Sequence, residues 1–415
     1  MKIYFSGIGG VGIGPLAQIA LDSGYQVCGS EPNPGLMRTE LENRGVEISS
    51  DQSGDFLRSS AAQQTIDWYV HTAAMPSDHP EIITARQLGI KVSKRDEFLA
   101  ELINQKGLKL IAVAGTHGKT TTSGMMVWAL KQLGVPVSYS IGTTLSWGPS
   151  GAYDPRSSYF VYECDEFDRN FLHFEPFLSL VTSVEHDHPD TYPSESDYMR
   201  AFSQFVDQSE KTIMWSRDSK KLAIDSSKTR QLDEDQVADI SLAGLHNRQN
   251  ATLVLKALEY IDLHDHSARI QAVESFPGTN RRFEKLANNL YSDYGHTPTE
   301  IAASLQMAIE ISNKVVLIYQ PHQNTRQHEL RQQYTDEIFK NALKTYWLPT
   351  YLSRENPTLK VLSPADLTED LTNVELAELD ENLWQEIQTA RKNDSLVICM
   401  GAGDIDSWLR SKLAD

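Results

Sequence analysis

The run Ala114-Gly115-Thr116-His117-Gly118-Lys119-Thr120-Thr121-Thr122 follows the apolar stretch Leu108 to Val113 and precedes a helical pattern of Met125, Met126, Ala129, Leu130 and Leu133. Strand, glycine-rich turn and helix is the order that sets backbone N–H groups and a helix N-terminus around a phosphate chain. In that arrangement Gly115, Thr116, His117, Gly118 and Thr121 line the phosphates. Lys119 reaches the terminal ones, and the Thr120 hydroxyl completes the coordination of Mg²⁺. The spacing departs from the general Walker pattern, because Val113 stands where that pattern has its first glycine and Gly115 serves instead. A glycine turn that merely precedes Lys-Thr is the bland alternative; a strand before it and a helix after it make that the weaker one. The chain is expected to bind a nucleoside triphosphate.

Two acidic clusters would share that site. The apolar run Tyr159 to Cys164 leads to Glu163, Asp165, Glu166 and Asp168, and the run Leu178 to Val184 leads to Glu185-His186-Asp187-His188-Pro189-Asp190. Both lie just past the carboxyl ends of strands, where an open α/β sheet binds its ligands. Most acidic loop residues are merely solvated. Carboxylates and imidazoles at two strand ends beside a phosphate loop fit a Mg²⁺ and phosphate site better.

A second glycine motif opens the chain. The strand Lys2 to Ser6 runs into Gly7-Ile8-Gly9-Gly10-Val11-Gly12, and a helical pattern through Leu16, Ile19, Ala20 and Leu21 ends at Gly24. A second strand, Tyr25 to Gly29, then leads to Glu31, so the βαβ unit carries the dinucleotide fingerprint with its ribose-binding acid. Alone it would suggest an NAD-dependent dehydrogenase, but the same turn can cradle any diphosphate. Further strands are expected at Trp68 to Ala73 and near Val92, and Leu99 to Gly107 reads as a helix closing the first block.

Residues 216–240 read as a polar, patternless surface excursion. Gly244-Leu245-His246-Asn247-Arg248-Gln249-Asn250 then opens a helix through Leu253, Val254 and Leu258, with Asn247 as its N-cap. The last block carries Gly278-Thr279-Asn280-Arg281-Arg282-Phe283 and Asp293-Tyr294-Gly295-His296-Thr297-Pro298-Thr299-Glu300, followed by a helix capped by Thr297 or Thr299. A strand Lys314 to Tyr319 leads to Gln320-Pro321-His322-Gln323-Asn324-Thr325-Arg326, and a strand Ser395 to Met400 to Gly401-Ala402-Gly403-Asp404. Strands alternating with helices indicate another doubly wound sheet.

Length and composition bound the remaining choices. A chain of 415 residues, 40% of them hydrophobic, has material for two to four α/β cores. A net charge of −18 argues against nucleic-acid or anionic-membrane partners, since it offers no net basic surface. Cys28, Cys164 and Cys399 are too far apart for a metal cluster and read as buried thiols of a reducing cytosol. With no room for a signal peptide before the first glycine motif and no membrane-length apolar run, a cytoplasmic location is expected.

Taken in order, these motifs closely resemble the Mur ligase family of peptidoglycan synthesis, over essentially the whole chain. Asp-Tyr-Gly-His-Thr-Pro-Thr-Glu and Gln-Pro-His are the most specific segments. The resemblance implies a three-domain α/β architecture: a UDP-sugar-binding Rossmann-like domain over 1–106, a central P-loop ATPase-type domain over 107–275, and an amino-acid-binding Rossmann-like domain over 276–415. It implies ATP and Mg²⁺, with UDP-N-acetylmuramate and L-alanine as substrates, in a monomer or homodimer. Gly9, Gly10, Val11, Gly12 and Glu31 would hold the UDP-sugar rather than NAD. Lys119 would meet the β- and γ-phosphates, and Thr120, Glu163 and His188 the Mg²⁺. His246, Asn247 and Asn250 would lie at the adenine, Asp293 at the ribose and Arg281 at the phosphates. Tyr294, His296, His322 and Arg326 would form the amino-acid pocket, with His296 also the candidate base.

The implied chemistry suits these residue types. A carboxylate is a poor acyl donor, so the γ-phosphoryl of ATP is transferred to it and an amine displaces phosphate from the acyl phosphate; Lys119, Arg281 and Mg²⁺ stabilise the transferring charge. The central block is short for the family. Gln323 stands where the alanine-adding branch often has arginine, which keeps open a recycling ligase that attaches a tripeptide. A folate or cyanophycin-type ligase should lack the first glycine turn. A regulatory protein without catalysis would have little reason to keep Lys119, Glu163, His188 and Asp293 together.

Overall fold

The computed structural model describes residues 1–72, 75–188, 191–224, 227–353 and 355–414. Among them the strands form three sheets. The first contains β1 (Lys2–Ser6), β2 (Gln26–Ser30), β3 (Glu47–Ser49), β4 (Trp68–His71) and β5 (Lys91–Lys94), all parallel, in the order 3-2-1-4-5. The second contains β6 (Lys109–Ala114), β7 (Val137–Ser140), β8 (Gly151–Ala152), β9 (Tyr159–Glu163), β10 (Leu178–Val181), β11 (Thr212–Trp215) and β12 (Thr229–Leu232). Its order is 12-11-10-6-9-7-8, and only the edge pair β7–β8 is antiparallel. The third contains β13 (Glu284–Ala287), β14 (Leu290–Asp293), β15 (Val315–Tyr319), β16 (Lys344–Trp347), β17 (Val374–Leu376) and β18 (Leu396–Met400). Its order is 13-14-18-15-16-17, antiparallel only at β13–β14.

Parallel strands covered by helices on both faces must be apolar on both faces. Ile3, Tyr4 and Phe5 of β1 and every residue of β15 and β18 are buried, which is why these runs read as continuous rather than alternating. The chain separates into two compact units, one of residues 1–238 and 250–277, the other of 239–249 and 278–415. In the first unit a single apolar core joins both sheets: Phe5, Trp68 and Phe98 belong to one cluster with Phe160, Phe171 and Phe202. In the second, Leu305, Tyr319 and Trp347 pack one face of the sheet, and Ile318, Leu383 and Leu409 the other. The architecture is α/β, as expected, and Cys28, Cys164 and Cys399 are buried free thiols.

Several local expectations need correction. The stretch 216–240 holds the helix Ser216–Lys221 and the edge strand β12, which pairs with β11 over Thr229 to Leu232. The helix read from Leu99 begins at Arg95, after Lys94. Asn247 lies inside the helix Leu245–Tyr260 and is not its cap. Strand β4 ends at His71; Ala73, like Pro189 and Asp190, lies outside the described residues. Thr297 caps the helix Pro298–Ile311 in a capping box with Glu300, one of the two caps expected.

Candidate functional site

Strand β6 ends at Ala114, and a tight turn carries the chain into the helix Lys119–Gln132. Gly115 (φ +135°) and Gly118 (φ +86°) adopt backbone angles that favour glycine. A Cβ on Gly115 would collide with Thr182 Oγ1, and one on Gly118 would lie 2.9 Å from Asn250 Oδ1. The Thr116 hydroxyl donates to Glu185 O (2.8 Å), and His117 Nε2 lies 3.5 Å from Glu185 Oε2. Thr121 follows Thr120 on the first turn of the helix.

Lys119 is the charged centre of this loop. Its Nζ donates to Gly115 O (2.5 Å), Glu166 Oε2 (2.7 Å) and Thr116 O (3.3 Å). Burial penalises its charge, but Glu166 and Asp165 outweigh that penalty and hold the ammonium above its ordinary range. The Thr120 hydroxyl donates to Glu163 Oε1 (2.7 Å), whose Oε2 accepts the Gly142 N–H (2.8 Å). His188 Nε2 lies 3.8 Å from Glu166 Oε1, and one ligand atom from each of Asp165, Glu166 and His188 falls within 4.8 Å of the others. The expected metal ligands thus divide: Thr120 bonds Glu163, while His188 joins Asp165 and Glu166. Carboxylates and a hydroxyl are the oxygen donors a hard divalent cation takes, so this donor set fits Mg²⁺. Asp165 and Glu166 belong to the acidic cluster read from the sequence as suiting Mg²⁺, but not to the three ligands that the resemblance implies.

At the first glycine turn, the Gly7 and Ile8 N–H groups donate to Ser30 O (2.8 and 3.0 Å), and Gly10 N–H to Gly7 O (3.0 Å). Glu31 Oε2 accepts the Gly9 N–H (3.2 Å), so the acid at the end of β2 does sit on the turn. Val11 projects outward, 66% exposed. Gly12 is confined by a residue the sequence had not singled out: a Cβ there would stand 2.5 Å from Arg95 Nη1.

The second unit brings together most of the remaining candidates. Rings of Tyr294 and His296 lie 5.6 Å apart, those of His296 and His322 5.9 Å. The charge of Arg326 acts on both histidines. Arg326 lies in the helix Asn324–Leu330. Burial lowers the pKa of His296 and takes His322 down to about 4, so both rings are neutral at pH 7. The Arg281 guanidinium covers the Tyr294 ring at 4.7 Å and donates to Gly401 O (2.9 Å). Asp293 accepts the Gly295 and Phe283 N–H groups (2.7 and 2.8 Å) and, through burial, is raised to about 6. Asn247 Nδ2 donates to Ala243 O (3.0 Å) in this unit, whereas Asn250 lies in the first unit, against Gly118.

Burial takes His246, whose Nδ1 has no hydrogen-bond partner among the described residues, down to about 4. Its folded pKa is below the unfolded value of about 6.5, so the unfolded chain binds the extra proton and stability falls as pH drops from about 6.5 towards 4. At pH 5.5 this amounts to about 1 kcal/mol. Thermal melts at pH 7.5 and 5.5 should show a smaller acid-induced loss for His246→Leu than for the wild type.

Residues 2–107 match the model of the Mur ligase family catalytic domain, and residues 113–254 that of the Mur ligase middle domain. The UDP-N-acetylmuramate–L-alanine ligase of Syntrophomonas wolfei is 31% identical, over 97% of this chain and 94% of that one. Among solved structures, the UDP-N-acetylmuramate-alanine ligase of Thermotoga maritima has a TM-score of 0.77 at 24% identity, covering 100% of this chain and 98% of its own. The murein peptide ligase of Psychrobacter arcticus has a TM-score of 0.69 at 23% identity, covering 100% and 98%. With two family models matched over residues 2–107 and 113–254 and a relative 31% identical over 97% of its length, the chain belongs to the Mur ligase family.

Proposed function

We propose that this chain is an ATP-dependent ligase that joins L-alanine to the carboxylate of UDP-N-acetylmuramate through an acyl phosphate, in the cytoplasm, as a monomer or homodimer. The observation that carries the reading is Lys119, kept charged in a glycine loop beside Glu166, Asp165 and His188. The name of the full-length relative supports the substrate pair. The three-domain division at 106/107 and 275/276 belongs to the same proposal.

In this reading the loop from Gly115 to Thr121 wraps the phosphates, and Lys119 and Arg281 supply positive charge to the transferring phosphoryl group. Thr120, Glu163 and His188, together with Asp165 and Glu166, would hold Mg²⁺, which when bound supplies charge neutralisation at the phosphate oxygens. His246, Asn247, Asn250 and Asp293 would contact the nucleoside. The turn Gly9 to Gly12, with Glu31, holds the UDP-sugar. Tyr294, His296, His322 and Arg326 receive the amino acid, and the neutral His296 ring can take a proton from its ammonium, freeing the amine that attacks the acyl phosphate.

ADP release in the presence of UDP-N-acetylmuramate and a panel of amino acids and tripeptides tests the assignment. Turnover with L-alanine is the expected result. Turnover with a tripeptide alone would replace it with the recycling ligase, and binding of NAD in place of the UDP-sugar would remove it.

L-Alanine has little apolar surface, so its recognition rests on its α-carboxylate, which a guanidinium binds through charge-assisted hydrogen bonds. Arg326→Ala should weaken the KM for L-alanine by roughly 1.5–3 kcal/mol and leave the KM for ATP nearly unchanged. Steady-state kinetics with each substrate varied in turn would check this. An unchanged KM for L-alanine would move the carboxylate contact to His322.

A further inference from the structure

Arg95 touches both chemical sites of the first unit. It opens the helix Arg95–Gln105 directly after β5, with its side chain 20% exposed. Its Nε bonds Asp96 Oδ2 at 3.0 Å, and its Nη2 lies 3.5 Å from Asp165 Oδ2. Asp96 is itself buried and also accepts the Tyr162 hydroxyl. Two of the three guanidinium nitrogens are therefore committed to carboxylates. The third, Nη1, faces the Cα of Gly12, where an added Cβ would be 2.5 Å away.

The turn presents hydrogen-bond donors of the kind an anion takes. The Gly10 N–H is turned back onto Gly7 O and the Gly9 N–H onto Glu31, while the Val11 and Gly12 N–H groups have no intramolecular partner among the described residues. An arginine edge set beside Gly12, on the same turn as these amides, adds donors matched to phosphate oxygens. Gly12 also has a reason to be glycine that the turn alone did not give: it leaves space for the guanidinium.

We propose that Arg95 binds the diphosphate of the sugar nucleotide through Nη1, while its other nitrogens hold Asp96 and Asp165. One guanidinium then connects the sugar-nucleotide turn to the acidic cluster beside Lys119. This rests on the UDP-sugar reading of the first turn and adds to it the cation that neutralises the ligand. The competing explanation is a purely structural ion pair that fastens β5 to the segment after β9, in the manner of the neighbouring Lys94–Asp168 pair at 2.6 Å.

Calorimetry with UDP, uridine and ATP on the full chain separates these. Arg95→Lys keeps a positive charge beside Asp96 and Asp165, but its single ammonium cannot also reach Gly12. Its affinity for UDP should fall about tenfold or more, as expected for a lost charge-assisted hydrogen bond, with uridine and ATP binding unchanged. Equal weakening of UDP and uridine, or no weakening of UDP, would leave Arg95 a structural residue and overturn the inference. A wild-type protein that bound no UDP would overturn both this inference and the reading beneath it. If Arg95→Lys fails to fold, the charge-balanced double variant Arg95→Gln/Asp96→Asn carries the same comparison.

Discussion

Lys119→Ala is expected to lower the rate of ADP formation by about a hundredfold to a thousandfold, the usual loss when one preorganised donor to a transferring group is removed. The fold should survive the change. The partner left behind, Glu166, has its pKa raised by burial and can take a proton, so no buried charge is stranded. Far-ultraviolet circular dichroism would match the wild type while ADP release collapsed. Retention of near wild-type ADP release would remove Lys119 from the phosphate site.

Glu166→Ala should behave in the opposite way on stability. The side chain of Glu166 is 1% exposed, and it accepts the Lys119 ammonium at 2.7 Å. Deleting it leaves that cation with the backbone carbonyls of Gly115 and Thr116 and with more distant carboxylates. Breaking a buried pair from one side destabilises by about 3–5 kcal/mol. Urea unfolding should therefore show a clearly lower midpoint for Glu166→Ala than for Lys119→Ala. Equal midpoints would mean that stranding the Lys119 cation costs no more than removing it.

That contrast marks where the sequence was readable. The buried strands were legible because a parallel strand covered on both faces has no polar alternation: Lys109 to Ala114, Val315 to Tyr319 and Leu396 to Met400 stand out as apolar runs. The turns were legible because glycines, lysine and threonines keep fixed spacing there. Strand β12 was not. Its sequence Thr-Arg-Gln-Leu belongs to a sheet edge, where only Leu232 is buried and the backbone pairing with β11, not the side chains, makes the strand.

Site residues divided in the same way. Glu163, Asp165 and Glu166 are close neighbours at and just beyond the end of one strand, and their types alone could not say which carboxylate turns inward to Lys119 and which bonds Thr120. Arg95 lies some eighty residues from Gly12 in sequence and seventy from Asp165, so its place between them is a product of packing between two sheets that share one core. The capping box at Thr297 shows the reverse case. Thr-Pro-Thr-Glu is a local signal, and the Glu300 carboxylate that closes it also accepts the His296 N–H (2.9 Å), setting that histidine at the head of the helix.

The most direct test of the ligase reading follows the oxygen atoms. UDP-N-acetylmuramate labelled with ¹⁸O in its carboxylate, incubated with ATP, Mg²⁺ and L-alanine, should yield the amide, ADP and inorganic phosphate carrying one ¹⁸O atom, because the acyl phosphate leaves its bridging oxygen on phosphorus. Mass spectrometry of the phosphate reads the result. Unlabelled phosphate, released with ADP but without amide, would mean that water rather than the carboxylate accepts the phosphoryl group, and would contradict the account.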